Sequence, residues 1–315
     1  MNFPVFDLHC DTALALLGET VNEPGSLRKN ELHIDLERAK DFPGYCQCFA
    51  CFTTPFMEEW HNLSPVVVFE RELATIQREL NRNHDLMELA YSASNIESNR
   101  KKGKMSAILT IEGPAGFGFD PELLENLHQI GFRISTLGWN EENVLAGSHR
   151  TGGGLTELGR EYIREAQRVG IKIDVSHLSD DAFWDIMKMT SAPVIATHSC
   201  SRKVWDVSRN ITDDMFLAIR ETGGVCGVNF YQGFVGEEGK ADIDTLCDHI
   251  FHFLELDPEG RHIALGGDLD GCNPLVTGFE GVQGYPWLAQ RLQERGLSDD
   301  LILNIFWNNA MGVIG

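Results

Sequence analysis

Histidines and carboxylates follow short apolar, β-branched segments at several points along the chain. His9 and Asp11 end the first such segment, and their spacing of two residues puts both side chains on one face of an extended strand. Glu112 ends a later segment, where burying an acid without a partner would be costly. His177 and His198 end two further segments. Imidazole and carboxylate groups are typical ligands of zinc, so these five residues together predict a metal site.

An acidic, glycine-rich segment follows the last of the apolar runs between helices. Asp268 comes directly after that run, within residues 266–271, where glycines would let backbone or substrate approach closely. Taken alone, the Asp-x-Asp-Gly pattern is typical of a turn, a lone histidine of a structural hydrogen bond, and a lone acid of an exposed strand end. The five ligands, with Asp268 as a sixth residue beside them, instead predict two divalent metal ions that share a water. Such a pair would produce hydroxide near neutral pH and polarise a carbonyl.

Eight apolar segments alternate with longer amphipathic ones, and this alternation predicts parallel strands joined by helices. Eight such units predict a (β/α)8, or TIM, barrel that residues 1–315 form as one catalytic domain with C-terminal helices. An open, doubly wound sheet is the alternative, because sequence alone cannot close a barrel. Catalytic groups of a barrel lie at the C-terminal ends of its strands, where these six residues fall. The predicted strands are residues 5–9, 46–53, 106–112, 132–137, 171–176, 193–197, 224–230 and 263–267.

Residues typical of helix ends mark several boundaries between these segments. Thr156, Ser179 and Thr212 each precede acidic residues and a helical pattern, and their hydroxyls could accept from backbone N–H groups that lack partners. Gly131 and Gly170 directly follow helical patterns, where a left-handed residue is favoured. The predicted helices are residues 65–81, 121–130, 156–169, 180–190, 212–222, 243–254, 285–294 and 298–306.

Composition and charge narrow the classes of protein to which the chain can belong. It has 315 residues and a formal net charge of −21, which would repel a phosphate backbone, so we expect no nucleic-acid partner. Its eight cysteines include one CxxC, Cys48 and Cys51, without a second pair at zinc-finger spacing, which predicts buried, reduced thiols. No secretory leader is recognisable, and no apolar run approaches the ~20 residues of a membrane span. We therefore expect a cytoplasmic protein without a membrane attachment.

The segments that carry these residues also form an ordered set of motifs. They are DLHCD (7–11), IEG (111–113), GLTELG (154–159), IDVSH (173–177), APVIATHS (192–199), SRNI (208–211), VNFY (228–231), GGDLDG (266–271) and NNA (308–310). In this order they resemble the membrane (renal-type) dipeptidases, the zinc peptidases of family M19, which are a branch of the amidohydrolase-like barrels. The resemblance covers nearly the whole chain, and as an ordered set it is highly specific.

The resemblance implies a role for each of the metal ligands. His9 and Asp11 would bind one zinc ion, and His177 and His198 would bind the other. Glu112 would bridge the two ions. The implied cofactor is therefore a pair of divalent metal ions, most simply Zn²⁺.

The resemblance also implies residues that act on the substrate. Asp268 would be the acid and base beside the bridging water. Arg209 would bind the free carboxylate of the substrate, a role that suits a planar donor with two prongs. Tyr231 would line the substrate pocket, or else simply pack there. A homodimer is implied as well, although no segment identifies its interface.

One position departs from the mammalian members of the family. They carry a histidine after the fourth strand that binds the carbonyl oxygen of the substrate, and Trp139 stands there in this chain. Many bacterial members read Trp-Asn at this point, as Trp139 and Asn140 do here. Tryptophan donates one hydrogen bond through its indole N–H but offers no imidazolium. We expect Trp139 and Asn140, with Asn143 as a further candidate, to contact the substrate.

The predicted function is hydrolysis of dipeptides, including those with a D-residue at the C-terminal position, by a binuclear zinc centre. Two alternatives stay open. The same metal pair could act on another amide or lactone, such as an N-acyl amino acid, because a fold does not determine a function. The chain could also be a binding protein that has kept the barrel and its metals without catalysis. Carboxyl-amidated dipeptides would test the first alternative, and a complete lack of amide turnover would favour the second.

Overall fold

Nine β strands form one sheet in residues 3–17, 25–190 and 192–315, which the computed structural model describes. They are β1 (Val5–Asp7), β2 (Tyr45–Phe52), β3 (Met87–Leu89), β4 (Met105–Glu112), β5 (Phe132–Thr136), β6 (Lys172–Asp174), β7 (Val194–Ile195), β8 (Cys226–Val228) and β9 (Ile263–Leu265). Eight of them follow one another in the parallel order β7-β6-β5-β4-β2-β1-β9-β8. Ala196 links β7 to β8, because its N donates to Val225 O (3.0 Å) and its O accepts from Gly227 N (2.8 Å). The strands therefore form the predicted, nearly closed barrel and not an open sheet.

Each of the eight predicted strands corresponds to one strand of the barrel, and all except β4, which ends at Glu112 as predicted, end earlier than predicted. β1 ends two residues before His9, and β7 ends three residues before His198. Glu112 is the last residue of β4, and the other predicted ligands lie on the loops that follow β1, β6 and β7. The short strand β3 was not predicted; it pairs with β4 from Met87 opposite Met105. Its segment, residues 86–91, contains no β-branched residue, which is the composition by which the other short strands were predicted.

The helices surround the barrel, and most lie where the sequence predicts them. The segment 298–306 was predicted as the last helix, whereas the chain continues through a π-helical turn, Asn304–Asn308, to α14. The predicted helix at 121–130 begins with a 3₁₀ turn, Pro121–Leu123. In the described part of the chain, no helix combines the length and the apolar composition needed to cross a bilayer. The helices are α1 (Thr12–Ala15), α2 (Leu36–Ala39), α3 (Met57–His61), α4 (Pro65–Arg82), α5 (Ala93–Lys101), α6 (Leu124–Ile130), α7 (Glu157–Val169), α8 (Asp180–Met189), α9 (Asp213–Glu221), α10 (Gln232–Val235), α11 (Ile243–Leu256), α12 (Tyr285–Glu294), α13 (Asp299–Leu303) and α14 (Asn309–Ile314).

The predicted helix caps are present. The hydroxyls of Thr156, Ser179 and Thr212 accept hydrogen bonds from the backbone N–H three residues later, at 3.0, 3.0 and 3.3 Å. Gly170 ends α7 in the left-handed conformation, with φ of 94°. Each hydroxyl cap fixes the point at which a strand-to-helix loop ends, and Gly170 fixes the point at which α7 ends before β6. The caps therefore help to hold the loops that carry the ligand residues.

Two apolar clusters form the core, one inside the barrel and one between the barrel and its helices. The inner cluster takes alternate residues from the strands, including Phe6, Cys48 and Ile108, and Trp307 packs against Phe6 at its lower end. The outer cluster contains Cys51 together with the apolar faces of the large helices. Cys48 and Cys51 therefore point to opposite faces of β2, as an odd spacing requires. All eight cysteines are free thiols and seven are buried, as predicted.

Candidate metal centre

The C-terminal ends of four strands, β1, β4, β6 and β7, bring the five predicted ligands together at one mouth of the barrel. Nε2 of His9 lies 3.3 Å from Asp11 Oδ2 and 3.2 Å from Glu112 Oε2. The other oxygen of Glu112, Oε1, lies 3.1 Å from Nε2 of His177 and 3.8 Å from Nε2 of His198. All five side chains are buried. The two oxygens of Glu112 thus face two different groups of donors.

The spacing of these atoms suits metal ions. Ligand atoms of His9, Glu112 and His198 all lie within 4.8 Å of one another, and so do those of His9, Asp11 and Asp268. Asp268 joins the cluster through Oδ1, which lies 3.8 Å from Nε2 of His9. The two groups share His9 and overlap at the centre of the mouth. Such an arrangement can hold one ion or two adjacent ions.

The hydrogen bonds behind the imidazoles determine which ring nitrogens carry protons. Nδ1 of His177 lies 3.0 Å from Oδ1 of Asn140, which accepts its proton. Nδ1 of His198 lies 2.7 Å from the hydroxyl of Thr197, which donates its own proton to Asp174 and therefore accepts from the ring. Both Nε2 atoms consequently carry lone pairs, and they lie only 2.8 Å apart. Two lone pairs at this distance repel each other unless a cation lies beside them, so the site fits a metal.

Unpartnered carboxylate oxygens support the same conclusion. Asp11 Oδ1 and Glu112 Oε2 are buried and accept no hydrogen bond from any described residue. Burial, and after it the neighbouring Asp11, raise the pKa of Glu112 to about 8. Burial by itself would lower the pKa of His9, but Glu112 and Asp11 raise it well above the usual value. Ionisation of Glu112 is therefore unfavourable without a cation beside it, and a divalent cation would stabilise the charged carboxylate.

Two buried aspartates inside the strands hold the ligand loops in place. Asp7 accepts hydrogen bonds from the backbone N–H groups of His9 (2.9 Å) and Gly267 (2.8 Å), and so ties the end of β1 to the end of β9. Asp174 accepts from the N–H groups of Ser176 and Thr197, both at 2.9 Å, and ties β6 to β7. These roles of Asp7 and Asp174 were not predicted from the sequence. The available signal was an acid in the middle of an apolar strand, which is costly without a partner.

Unusual backbone conformations direct the side chains of two residues, His177 and Asp268, towards the cluster. His177 and Asp268 adopt left-handed conformations, with φ of 70° and 57°, which is uncommon for residues other than glycine. At Gly271, an added Cβ would collide with the carboxylates of Asp11 and Asp268. The close approach of backbone that the glycines predict is therefore present. It lets the loop after β9 pass directly beside the ligands.

Asp268 is held so that one oxygen faces the cluster. Its Oδ2 accepts a hydrogen bond of 3.0 Å from Nδ2 of Asn229, while Oδ1 faces His9. Burial raises the pKa of Asp268 to about 6, against the opposing effect of His9. A carboxyl group with this pKa can both accept and donate a proton near neutral pH. The sequence analysis did not single out Asn229 for this role.

Arg209 is a buried cation beside the cluster, only 3% exposed. Its Nη1 donates to the hydroxyl of Ser199 (2.8 Å), whereas Nε and Nη2 have no partner among the described residues. Its guanidinium lies over the ring of Phe234, 5.4 Å from the ring centre, and the ring of Tyr231 packs edge-on against Phe234 at 4.9 Å. Burial lowers the pKa of Arg209, as expected for a cation that lacks an anionic partner. The arrangement can bind a carboxylate.

The residues after β5 form another wall of the mouth. The half-buried ring of Trp139 packs edge-on against Phe52 and Trp60, at 5.4 and 5.5 Å between ring centres, and lies 6.3 Å from the ring of His177. Asn143, a further predicted candidate, donates to the backbone oxygen of Leu137 (2.9 Å). Its role in this structure is to hold the loop.

Asn140 and His149 form a chain of hydrogen bonds between His177, one of the predicted metal ligands, and the loop that carries Arg209. Oδ1 of Asn140 lies close to two imidazoles, 3.0 Å from Nδ1 of His177 and 2.8 Å from Nε2 of His149. Nδ1 of His149 lies 3.0 Å from the hydroxyl of Ser208, which precedes Arg209. Burial lowers the pKa of His149 to about 3, so the ring is neutral. His149 carries no motif signal, and the sequence analysis missed it.

A nearly closed (β/α)8 barrel with histidine and carboxylate ligands at its C-terminal mouth has the architecture of the metal-dependent hydrolases. The family model described as membrane dipeptidase (peptidase family M19) matches residues 1–315. The chain belongs to this family, which confirms the resemblance carried by the motifs.

Similar proteins agree with this assignment. An uncharacterised dipeptidase of Schizosaccharomyces pombe is 36% identical over 217 residues, which are 67% of this chain and 53% of that protein, so the match spans about half of the relative's length. A metallopeptidase of Rhodobacter sphaeroides, solved with a phosphinate mimic of the dipeptide L-Ala-D-Ala, is 25% identical with a TM-score of 0.88, and the alignment covers 100% of this chain and 99% of that one. The structure of the M19 dipeptidase AC is 27% identical with a TM-score of 0.88, covering 100% and 98%.

Proposed function

We propose that this chain is a dipeptidase that uses two divalent metal ions, zinc by preference, to hydrolyse the peptide bond of dipeptides. The observation that carries the proposal is the position of Glu112 at the barrel mouth. One of its oxygens faces His9 (3.2 Å) and the other faces His177 (3.1 Å), as a carboxylate shared by two ions would require. His9 and Asp11 would hold one ion, and His177 and His198 the other. When bound, the two ions would lower the pKa of a water molecule and polarise the scissile carbonyl.

Asp268 carries the proton in this proposal. With Oδ2 fixed by Asn229, its Oδ1 accepts a proton from the attacking water and later delivers it to the leaving amine. A pKa of about 6 suits both halves of this transfer near neutral pH. The left-handed backbone at Asp268 holds the carboxylate towards the cluster.

Arg209 binds the free carboxylate of the dipeptide. Its unpartnered Nε and Nη2 form the two parallel donors that a carboxylate accepts. Phe234 supports the guanidinium from one side, and Tyr231 lines the pocket beyond that ring. Ser199 holds the third nitrogen and so fixes the plane of the group. Water is excluded here by burial, which strengthens the ion pair with the substrate.

The stereochemistry of the second residue is part of the proposal. The R. sphaeroides structure carries a mimic of L-Ala-D-Ala, and this chain aligns with it over its full length. We therefore expect dipeptides with a D-residue at the C-terminal position to be substrates. Trp139, which is half-buried beside His177, contacts the substrate through its ring or its indole N–H. Asn140 acts through His177, because its amide oxygen is already engaged by two imidazoles.

The experiment that tests this proposal compares dipeptides with their carboxyl-amidated forms. The zinc-loaded protein should hydrolyse Ala-Ala and Ala-D-Ala, and kcat/KM should fall at least ~10²-fold for the amidated forms, which cannot pair with Arg209. Equal rates for free and amidated dipeptides would contradict the assignment of Arg209. Faster hydrolysis of N-acetyl amino acids than of any dipeptide would instead favour the alternative amidohydrolase reaction.

A further inference from the structure

An apolar cavity of about 720 Å³ lies next to the mouth of the barrel. This volume is within the range of sites that bind small molecules. The described residues that line it are mainly aliphatic and aromatic, among them Leu14, Leu32, Trp60 and Leu63. The ring of Trp60 is 48% exposed, so it is accessible to a group bound in the cavity.

One wall of the cavity is continuous with the metal centre through aromatic contacts. Trp60 packs edge-on against Trp139, with 5.5 Å between ring centres, and Trp139 lies 6.3 Å from the ring of His177. Leu63 packs against the same apolar cluster as Trp139 and Phe52. A group bound against Trp60 is therefore separated from the ligand histidines by one side chain.

The other walls belong to segments that lie close in the chain, or through a hydrogen bond, to the carboxylates Asp11 and Asp268. Leu14 lies on α1, which begins directly after Asp11. Leu32 precedes His33, whose backbone N donates to Oδ1 of Asp270 at 2.6 Å, two residues beyond Asp268. The cavity is consequently bounded by segments that also position two sides of the metal centre.

The order of the strands puts this cavity across the mouth from Arg209. The cavity walls come from the loops after β1 and β2, whereas Ser199 and Arg209 come from the loop after β7. β2 and β7 are four strands apart in a barrel of eight, so they lie on opposite sides of the mouth. A substrate whose carboxylate is held by Arg209 therefore extends over the metal ligands and directs its other end to the cavity.

Building on the proposed dipeptidase function, we propose that this cavity is the subsite for the side chain of the N-terminal residue of the dipeptide. It takes bulky apolar side chains, and Trp60 is the residue that determines this specificity. Two polar residues, Glu59 on α3 and Asn62 directly after it, complete the lining of the cavity. In this proposal the free amine of the substrate is solvated beside them. The side chain of the C-terminal residue, on the Arg209 side, does not enter this cavity.

The test varies one end of the dipeptide at a time. One series is Gly-Ala, Leu-Ala and Phe-Ala, and the other is Ala-Gly, Ala-Leu and Ala-Phe. In the zinc-loaded wild-type protein, kcat/KM should rise at least ~10-fold from Gly-Ala to Phe-Ala, mainly through KM, because binding of a side chain in an apolar pocket is worth this much. Trp60→Ala should lower the ratio of Phe-Ala to Gly-Ala at least ~10-fold. Trp287→Ala is the matched control, since Trp287 is also exposed (62%) and lies on α12, away from the cavity.

A second readout does not depend on turnover. Calorimetric titration of the chelator-treated protein with Phe-Ala should give a Kd at least ~10-fold weaker in Trp60→Ala than in Trp287→Ala. Equal Kd values, or a flat N-terminal series in a wild-type protein that hydrolyses Gly-Ala, would overturn the subsite while leaving the dipeptidase proposal intact. A stronger dependence on the C-terminal series would also overturn it. Absence of turnover on all six dipeptides would overturn the proposed function and the subsite together.

Discussion

At the scale of single residues, the candidate metal centre is determined by which groups are neutral and which are charged. Burial lowers the pKa of both His177 and His198 well below the usual value, and nearby cations, Arg209 for the first and His9 for the second, lower it further. Both rings therefore offer lone pairs to a metal. Carboxylates of Asp11 and Glu112 supply the negative charge. Neutral imidazoles and buried carboxylates are the ligand set that zinc prefers.

Asp268 is predicted to be needed for turnover and not for metal binding. Replacing it by Asn keeps its hydrogen-bonding shape but removes the base, so kcat should fall at least ~10²-fold while bound zinc per chain stays unchanged. Asp41→Asn, at an exposed acid, serves as the control and should have normal turnover. Turnover of Asp268→Asn close to that of the wild type would remove Asp268 from the mechanism.

Asn140 is predicted to act on metal affinity through His177. Asn140→Ala removes the acceptor that fixes the proton on Nδ1, so zinc affinity should fall ~10–100-fold, the usual effect of losing such a partner. Asn143→Ala is the matched control, because that amide bonds only to backbone groups of its own loop. Competition with a chromophoric chelator measures both affinities. Equal zinc affinity in the two variants would contradict this role of Asn140.

At the scale of elements, the strand ends determine where the ligands lie, and the helices hold the strand ends. Glu72 on α4 is an example, since its Oε1 accepts from the backbone N of Phe52 (3.3 Å) at the end of β2. Its other oxygen is buried and accepts no hydrogen bond from a described residue. Burial raises the pKa of Glu72 well above its usual value of 4.5, and Asp11 raises it further. This carboxyl group therefore resists ionisation in the folded protein.

Glu72→Gln is predicted to stabilise the chelator-treated protein increasingly as pH rises. The unfolded chain loses this proton near pH 4.5, whereas the folded chain keeps it to a higher pH. The free energy of unfolding of the wild type therefore falls as pH rises above about 4.5, and Gln lacks this dependence. Urea unfolding at pH 5 and pH 8 should give a difference in favour of Gln that grows with pH. A difference that is constant or shrinks would contradict the assignment.

Glu79 on the same helix provides a matched comparison. It accepts hydrogen bonds from Leu27 N (2.9 Å) and from the guanidinium groups of Arg78 and Arg82 (3.2 and 3.3 Å). The two guanidinium groups therefore compensate the negative charge of Glu79, whereas Glu72 accepts a hydrogen bond only from the backbone N of Phe52. Glu79→Gln should cost about 1–3 kcal/mol at pH 7, because it weakens charge-assisted hydrogen bonds.

Much of this architecture could be predicted from the sequence, because local patterns determine it. Alternating apolar segments gave the eight barrel strands, and hydroxyl and glycine caps gave the main helix ends. The strand β3 and the helix α5 were missed, the first because its segment has no β-branched residue and the second because Ile96 and Asn99 are its only buried residues. The roles of Asp7, Asp174 and His149 depend on partners far away in the sequence, which no local pattern reveals.

At the scale of the whole molecule, the barrel brings residues from motifs that are far apart in the sequence together in one candidate metal centre. Residues as far apart as His9 and Asp268 meet because β1 and β9 are neighbours in the closed sheet. The same closure puts the apolar cavity and Arg209 on opposite sides of the mouth. A dipeptide fits this arrangement. Its free carboxylate lies at one end, the side chain of its N-terminal residue lies at the other, and the scissile bond lies between them.

The most direct test of the central proposal measures amino-acid release from L,L and L,D dipeptides by the zinc-reconstituted protein, with bound metal quantified in the same samples. We predict two zinc ions per chain, cleavage of both stereochemical series, loss of cleavage after chelation and recovery when zinc is added back. No cleavage of any dipeptide by protein that holds two metal ions per chain would contradict the account.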